Sequence, residues 1–278
     1  MKLSCIILNW NLRYLPRLCI EAIRKSKCDF PYEIIVVDND SHDESLDYLE
    51  QMHKKGEITL VHSGSNLGYG KGNNLGVNYA KGEYVLILNP DVSVESDTLQ
   101  KMVEYMENHK EVGVLAPQLY FFNEEIQDSC RRFMRPADII IKRTALQRFK
   151  VLKKRVDEYL MADYDHKKTQ EVDLVTGACL MLQKDVFQKV GGFDPRYFLF
   201  MEDADLCRKI WNAGLKVVYF PEARALHYRK RLSDGSILSL LSQKVFWIHL
   251  SSAAKYFWKW KGKPLPRRNM SAPAQKSV

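Results

Sequence analysis

The strongest constraint on the fold is a regular alternation of short, β-branched apolar segments with longer segments of helical periodicity. Each apolar segment is rich in valine or isoleucine and has the length of a single buried strand. The apolar segments occupy residues 3–8, 33–38, 57–62, 83–88 and 112–117, and the helical patterns occupy 13–27, 43–55, 69–81 and 96–109. Strands that alternate with helices at this spacing form βαβ units. We therefore expect an α/β fold with a mostly parallel central sheet flanked by helices.

The alternation ends after residue 117. Residues 118–135 predict a hairpin or an irregular segment, and residues 137–162 predict a basic helix or a loop. Regular patterns return over residues 172–187 and at a strand over 216–220. These interruptions indicate two halves of one main domain, residues 1–117 and 118–230.

A basic, amphipathic helical tail is predicted for residues 231–278, helical to about residue 260. One apolar face of this helix is expected to carry Ile237, Leu241, Val245 and Ile248. Lysines cluster at its far end among aromatic side chains, as in helices that lie on a membrane surface. Packing on the main domain, or in a homodimer interface, is the alternative for the same helix.

Composition excludes several classes of protein. The chain has 278 residues, 46% of them hydrophobic, which is enough for a substantial core. No uninterrupted apolar run reaches about 18 residues, so we predict no transmembrane helix. The N-terminal segment predicts a buried strand rather than a signal peptide. The six cysteines form no Cys-x-x-Cys pair, which disfavours a zinc site or a disulfide framework and fits a reducing cytosol.

Positive charge is concentrated in two segments. Residues 131–155 contain ten Lys or Arg against one acidic residue, and residues 224–270 contain eleven against one. The net charge of the whole chain is only +8, so the rest of the protein is acidic. Two basic segments of this density favour an anionic partner, and we expect an anionic membrane surface rather than nucleic acid.

Polar residues follow each of the first four predicted strands. Asn9, Trp10 and Asn11 follow the first strand, and Asp38 ends the second. The third strand leads into the glycine-rich sequence SGSNLGYGKGNNLG, and the fourth is followed by Asn89, Pro90 and Asp91. Ligands of open parallel sheets bind beyond the carboxyl ends of the strands. The four strand ends therefore predict one ligand-binding crevice.

The glycine-rich sequence matches neither a P-loop nor a dinucleotide-binding fingerprint. Its backbone N–H groups at a helix start can still bind an anion, although a tight turn is the structural alternative. Asp91 can hold a divalent cation together with substrate phosphates, although Asn-Pro-Asp is also ordinary turn chemistry.

Three acidic residues, Glu202, Asp203 and Asp205, directly follow the apolar stretch 197–201 at the start of a predicted helix. Acidic residues are common in the first helical turn because they complement its free N–H groups. Helix capping does not explain the apolar stretch that precedes these residues. This stretch raises the energetic cost of ionising a carboxylate, which is how proteins produce a general base.

Together these segments resemble family 2 glycosyltransferases of the GT-A fold, and most closely the rhamnosyltransferase-type branch that builds bacterial surface polysaccharides. The resemblance runs in order from about residue 3 to 228. It rests on IILNWN, VVDNDSHD, NLGYGKGNN, LILNPDV, TGACLMLQKDVFQKVGGFDPRYFLFMEDADLCRKIWNAG and ALHY. The combination is specific, whereas each motif alone is weak.

The resemblance implies a site for a nucleoside-diphosphate sugar. Asp38 matches the aspartate that accepts a hydrogen bond from the pyrimidine base, and Asn9 and Trp10 flank the same pocket. The donor sugar or its phosphates would be bound by Asn73 and Asn74, with Lys71 nearby. Uracil and thymine present the same N–H, so Asp38 does not distinguish between them. The resemblance favours dTDP-L-rhamnose as the donor, with UDP-hexoses as the alternative.

The resemblance also implies Mg²⁺ or Mn²⁺. Asp91 matches the last aspartate of the family's Asp-x-Asp metal motif, and Asn89 replaces the first, which leaves Asp91 as the main carboxylate. His227 matches a histidine that ligates the metal in some members. A histidine hydrogen-bonded locally at a strand end is the alternative.

On the acceptor side, Gly177 and Ala178 match the family's small residues. Asp203 matches the catalytic base of an inverting transfer to a hydroxyl of a glycan or lipid-linked acceptor, and Glu202 would orient it. We expect Asp205 to be structural, with Arg208 as its partner three residues on. The enzyme would work at the inner face of the cell membrane.

Two other classes of protein fit the sequence less well. A nucleotidyltransferase needs a glycine-rich, basic loop after the first strand, and NWNLRYLPR contains no glycine. A non-catalytic nucleotide-sugar-binding protein would not need Asp203 and Asp91 together.

Overall fold

The computed structural model describes residues 1–136, 149–162, 164–228 and 244–266. The first half contains β1 (Leu3–Asn9), α1 (Leu15–Arg24), β2 (Tyr32–Asp38), α2 (Ser45–Lys54), β3 (Thr59–His62), α3 (Tyr69–Tyr79), β4 (Tyr84–Leu88), β5 (Val92–Val94) and α4 (Thr98–Asn108). The second half contains β6 (Val112–Tyr120), β7 (Cys130–Arg131), α5 (Lys150–Leu160), β8 (Gln170–Glu171), β9 (Leu174–Val175), β10 (Cys179–Gln183), α6 (Lys184–Lys189), α7 (Glu202–Asn212), β11 (Lys216–His227) and α8 (Lys244–Lys259).

The main sheet has the strand order β3-β2-β1-β4-β10-β6-β11-β5, with β8 paired to β11. The pairs among β1, β2, β3 and β4 are parallel, as is the pair of β6 with β11. The predicted mostly parallel α/β sheet is therefore confirmed. Three strands depart from it: β5 and β8 pair antiparallel with β11, and β10 runs antiparallel between β4 and β6. The loop that precedes β10 lies at the carboxyl edge of the sheet, so β10 has to run in the opposite direction.

The core lies on both faces of this sheet. Every residue of β1 and of β4 is buried, which explains their continuous apolar sequences. Successive residues of β1 point to opposite faces, because side chains alternate along a strand. Ile6 and Leu8 join one hydrophobic cluster, and Leu3, Cys5 and Ile7 join the other.

Strand β11 is longer than the sequence predicted. It continues past residue 220, through an irregularity between Phe220 and Arg224, to His227. The extension pairs antiparallel with β5, and this pairing places His227 opposite Val92. A proline at position 221 hides this continuation from a sequence reading, because proline normally interrupts a strand.

Helix α8 packs on the rest of the protein. Ser252, Ala253 and Tyr256 are buried on its inner face, and Trp260 is buried just beyond its end. Two members of the predicted apolar face, Ile237 and Leu241, lie outside the described residues, as do residues 137–148 of the basic segment. None of the helices in the described ranges is long and apolar enough to cross a membrane.

Candidate active site

The backbone of Gly177 and Ala178 joins three parts of the site. The Gly177 N–H donates to Asp203 Oδ2 at 3.3 Å, and the Gly177 carbonyl accepts a hydrogen bond from the Tyr69 hydroxyl. The Ala178 carbonyl accepts the Asn89 N–H at 2.9 Å. This loop therefore connects helix α7, the start of helix α3 and the end of strand β4. A Cβ atom at Gly177 would approach the Tyr69 hydroxyl to 3.0 Å, which explains the small residue.

Asp203 lies half-buried on the first turn of α7, and its Oδ1 also accepts the Ala204 N–H at 2.7 Å. Burial raises its pKa above the usual value, while these N–H donors and the positive charge of Arg131 act in the opposite direction. Its neighbour Glu202 is 5% exposed and has one carboxylate oxygen without a hydrogen bond.

Burial, together with the charge of Asp203, raises the pKa of Glu202 to about 8. The raised pKa favours the protonated form of Glu202. Asp203 has two backbone N–H donors and a nearby guanidinium, which favour its charged form. Two adjacent carboxyl groups in different environments are a common way to separate a base from a neutral neighbour.

At the ends of β1 and β2, Asn9 and Asp38 meet in a buried network. The Asn9 side-chain amide donates to the hydroxyls of Ser45 at 2.8 Å and Ser41 at 3.2 Å, and lies 3.5 Å from Asp38 Oδ1. Asp38 Oδ2 accepts the Ser41 N–H at 3.2 Å. Trp10 is 51% exposed beside this network, where a planar ligand could contact it.

The glycine-rich loop is fixed against the opposite wall of the crevice. The Tyr69 N–H donates to the Phe198 carbonyl at 2.8 Å, and Gly68 has a φ of 79°. A Cβ atom at Gly68 would lie 2.2 Å from the Phe198 carbonyl oxygen, so only glycine fits. The Asn66 carboxamide oxygen accepts both the Gly68 N–H and the Asn39 amide, each at 3.0 Å.

The three predicted donor-binding residues of helix α3 differ in their surroundings. Lys71 is exposed on the first turn. Asn73 is buried and donates to the Tyr69 carbonyl, while its side-chain oxygen has no hydrogen-bond partner. Asn74 bonds at both ends of its amide to the Phe193 backbone, at 2.8 and 2.9 Å. Both polar ends of Asn74 are thus used within the protein.

Asp91 and His227, the two predicted metal ligands, lie side by side. His227 Nε2 is 3.5 Å from Asp91 Oδ1, and the Tyr228 N–H donates to the Asp91 carbonyl at 2.9 Å. Two cis ligands of one cation lie about 3 Å apart, so this spacing fits a shared ion. No cluster of three or more candidate metal ligands occurs in the described ranges. Magnesium often takes only one or two protein ligands when phosphates supply the rest, so the pair fits a divalent cation.

Gln127 completes this pair, and no sequence motif pointed to it. Its Nε2 donates to the carbonyls of Tyr120 and His227, at 3.2 and 3.0 Å. Its Oε1 must therefore face His227 Nδ1, 2.9 Å away. Since Oε1 only accepts, Nδ1 carries a proton. In the neutral ring, which is the form that binds a metal, the lone pair is then on Nε2, the nitrogen next to Asp91. A single glutamine in an irregular segment carries no sequence signal of this role.

Asp205 is fully buried, and its structural role was predicted, but its partner was not. The predicted partner Arg208 instead donates to the carbonyls of Lys263 and Pro264. Asp205 bonds to Lys259 and Trp260 of the C-terminal segment, at 2.7 and 2.8 Å. Spacing along α7 suggested an intrahelical pair, whereas the buried side of the helix faces the C-terminal segment.

Two family models match the sequence. The model of Glycosyl transferase family 2 matches residues 4–191. A model described as the N-terminal domain of galactosyltransferase matches residues 159–231. Helix α8 lies beyond both matches.

Several characterised proteins are similar in sequence. Rhamnosyltransferase WbbL of Escherichia coli is 30% identical over 249 residues, covering 82% of this chain and 83% of the relative. The N-acetylglucosaminyl-diphospho-decaprenol L-rhamnosyltransferase of Mycobacterium tuberculosis is 26% identical, covering 82% of this chain and 78% of the relative.

Solved structures share the fold at lower identity. A crystal structure of GalNAc-T7 with UDP, GalNAc and Mn²⁺ superposes with a TM-score of 0.69 and 15% identity, covering 95% of this chain. A fragment of S. aureus TarS in complex with UDP-GlcNAc gives a TM-score of 0.58 and 18% identity, covering 86% of this chain. This chain spans 48% of the first structure and 61% of the second.

Proposed function

The chain belongs to glycosyl transferase family 2 and is a glycosyltransferase; we propose that it moves L-rhamnose from dTDP-L-rhamnose to a hydroxyl of a glycan or lipid-linked acceptor, with inversion. The observation that carries this proposal is the position of Asp203. The Gly177–Ala178 backbone holds this half-buried carboxylate in one crevice with Asn89 and the start of helix α3.

The proposed reaction needs one base. The acceptor hydroxyl gives its proton to Asp203 as its oxygen bonds to the anomeric carbon, and the bond from that carbon to the nucleoside diphosphate breaks on the opposite face. The raised pKa of Glu202 favours a negative charge on Asp203 rather than on Glu202. A positioned general base contributes about 10²- to 10⁴-fold to the rate. Within the apolar stretch 197–201, Phe198 borders the start of α3, where it would limit access of water to the donor.

The leaving diphosphate is proposed to lie between the start of α3 and the Asp91–His227 pair. The Tyr69 N–H bonds to the Phe198 carbonyl, so an anion would be bound by the next N–H groups of the first turn of α3, where Lys71 is exposed. Mg²⁺ or Mn²⁺ held by Asp91 and His227 would stabilise the charge that develops on the diphosphate. The presence of UDP and Mn²⁺ with GalNAc-T7, which shares this fold, supports the proposal.

The donor follows from the relatives rather than from the pocket. Asp38 suits uracil and thymine equally, whereas the two relatives named above act as rhamnosyltransferases. The test is turnover of dTDP-L-rhamnose, UDP-glucose, UDP-galactose and UDP-GlcNAc with Mg²⁺ or Mn²⁺. Preferential turnover of dTDP-L-rhamnose supports the proposal. Preferential turnover of a UDP-hexose would keep the enzyme class and overturn the donor.

We also propose that the enzyme attaches to the cytoplasmic membrane face, where a lipid-linked acceptor would be found. The side of α8 away from the protein exposes Trp247, Leu250 and Trp258, the last of them 78% exposed, and Lys261 lies over the Trp258 ring. Exposed aromatic side chains beside lysines are typical of helices at a lipid interface.

Flotation with vesicles containing anionic lipid tests this attachment. The full-length protein should float at low salt, and a Trp247→Ser, Trp258→Ser double variant should not. If both proteins stay with the soluble fraction, the attachment proposal is wrong, while the transferase proposal stands.

A further inference from the structure

The carboxylate of Asp205 is completely buried two residues after the proposed base. Its hydrogen bonds come from Lys259 Nζ at 2.7 Å, the Trp260 indole N–H at 2.8 Å and the Tyr197 hydroxyl at 3.3 Å. A buried carboxylate is costly unless such partners compensate its charge. Two of these three hydrogen-bond donors belong to the C-terminal segment, more than 50 residues away in sequence. Lys209, one turn further along α7, adds an ion pair to Asp205 Oδ2 at 3.9 Å.

Asp203 and Asp205 face different sides of α7. Each residue of an α-helix turns by about 100°, so positions two apart point in nearly opposite directions. Asp203 bonds to the Gly177 loop, and Asp205 bonds to the C-terminal segment. Helix α7 is thus held between the crevice on one side and α8 on the other.

The same C-terminal segment also holds the loop 194–201 that precedes α7. Lys259 donates to Asp194 at 2.6 Å, at the start of this loop, as well as to Asp205. Further along the loop, Lys255 donates to the Arg196 carbonyl at 3.0 Å, and Ser252 donates to the Leu199 carbonyl at 2.8 Å.

The loop needs this support at its end. Phe200 and Met201 both have φ values of 71°, a backbone conformation that residues other than glycine rarely adopt. Such residues persist only where their surroundings hold them, and the Phe200 ring packs on His249 of α8 at 4.8 Å. The carbonyl of Phe198, in the same loop, also accepts the first N–H of α3.

We propose that helix α8 is a positioning element of the active site, in which Lys259 and Trp260 set the orientation of α7, and therefore of Asp203, through the buried Asp205. The inference rests on the proposed role of Asp203 as the base. It assigns a role in the reaction to a segment that neither matching family model includes.

The first experiment compares Lys259→Met with the wild type by amide hydrogen exchange, which requires no donor. Exchange in peptides covering residues 176–178 and 194–206 should become about tenfold faster or more, because opening of this region costs less without the bridge. The matched control is Lys2→Met. Lys2 also bridges two carboxylates, Glu83 and Glu107, but it lies just before β1, at the amino ends of the parallel strands and away from the crevice. It should leave exchange at 176–178 and 194–206 unchanged.

The second experiment measures turnover of dTDP-L-rhamnose and binding of dTDP by the same variants, well below their unfolding temperatures. Lys259→Met should lower kcat about 10- to 100-fold, since a misplacement of about 1 Å can cost a hundredfold, and should leave the Kd for dTDP within about twofold. Lys259→Arg keeps a cation at the bridge and should restore most of kcat. Trp260→Phe, which keeps an aromatic ring but loses the indole N–H, should also lower kcat. If Lys259→Met does not fold, Trp260→Phe is the variant that tests the positioning role.

The outcomes separate this inference from the proposed function. If Asp203→Asn is inactive while the folded Lys259 and Trp260 variants keep wild-type kcat and wild-type exchange, the positioning role is wrong. If Asp203→Asn keeps wild-type turnover, the base assignment fails first, and the inference fails with it.

Discussion

Replacement of Gln127 by leucine tests whether the histidine beside Asp91 is prepared to bind a metal. In the structure the Gln127 amide bonds to two backbone carbonyls and to His227 Nδ1. This arrangement places a proton on Nδ1, so that a neutral ring has its lone pair at Nε2, 3.5 Å from Asp91 Oδ1. Gln127→Leu keeps similar volume but removes the acceptor, so the ring can rotate or shift its proton to Nε2.

The expected size of the effect follows from the role of the hydrogen bond that Gln127→Leu removes. Removal of a group that orients a metal-ligating histidine costs about 10- to 100-fold in metal affinity. This corresponds to about 1.4 to 2.7 kcal/mol of binding free energy. The substitution also leaves buried polar groups without a partner, which costs about 1 to 3 kcal/mol of folding stability for each group.

The assay is titration calorimetry of Mn²⁺ with the folded protein in saturating dTDP. Gln118→Leu is the matched control, because Gln118 is also buried and bonds to the His166 carbonyl and the Tyr219 hydroxyl, away from Asp91. Both variants should lose stability, but only Gln127→Leu should weaken Mn²⁺ binding. Equal Mn²⁺ affinity in Gln127→Leu and the wild type would refute the argument that Gln127 orients a ligand.

Three further predictions concern the carboxylates of the site. Asp203→Asn should abolish transfer while leaving nucleotide binding nearly intact, and more than about a tenth of the wild-type kcat would contradict its role as the base. Asp91→Ala should weaken binding of dTDP in Mn²⁺ far more than in EDTA, and an equal loss in both would make Asp91 a turn residue. Glu202→Gln should raise the melting temperature more at pH 8 than at pH 5. Burial raises the pKa of Glu202 from 4.5 to about 8 in the folded protein. Between these two pKa values the folded wild type retains a proton that the unfolded chain releases, so the wild type loses stability as the pH rises from 4.5 to about 8. A pH-independent difference between Glu202→Gln and the wild type would contradict that shift.

The first half of the fold could be predicted closely, because its signals are local. Strands buried between two layers of helices are continuous apolar segments, and β1 and β2 end within one residue of their predicted bounds. The polar residues that follow these strands were expected in one crevice, and the structure brings Asn9 and Asp38 into one network.

The second half depends on pairings that no local pattern encodes. The antiparallel direction of β10 follows from the path of the chain rather than from its five residues. The position of His227 follows from the register of β11 against β5, beyond a proline that suggested the strand had ended. Gln127 acquires its role only once this register is set, since its partners are 7 and 100 residues away.

The lysines of the C-terminal segment do not all have the same role in the structure. The sequence predicted a basic helix whose lysines would face an anionic surface. In the structure Lys259 instead compensates two carboxylates of the protein, Asp194 and Asp205, and it is therefore not available to a membrane. Each basic residue near an anionic leaflet contributes about 1 kcal/mol, so the electrostatic attraction is smaller than the lysine count implies. The proposed attachment must then depend more on the exposed indole rings of Trp247 and Trp258, which is why its test removes those rings rather than the lysines.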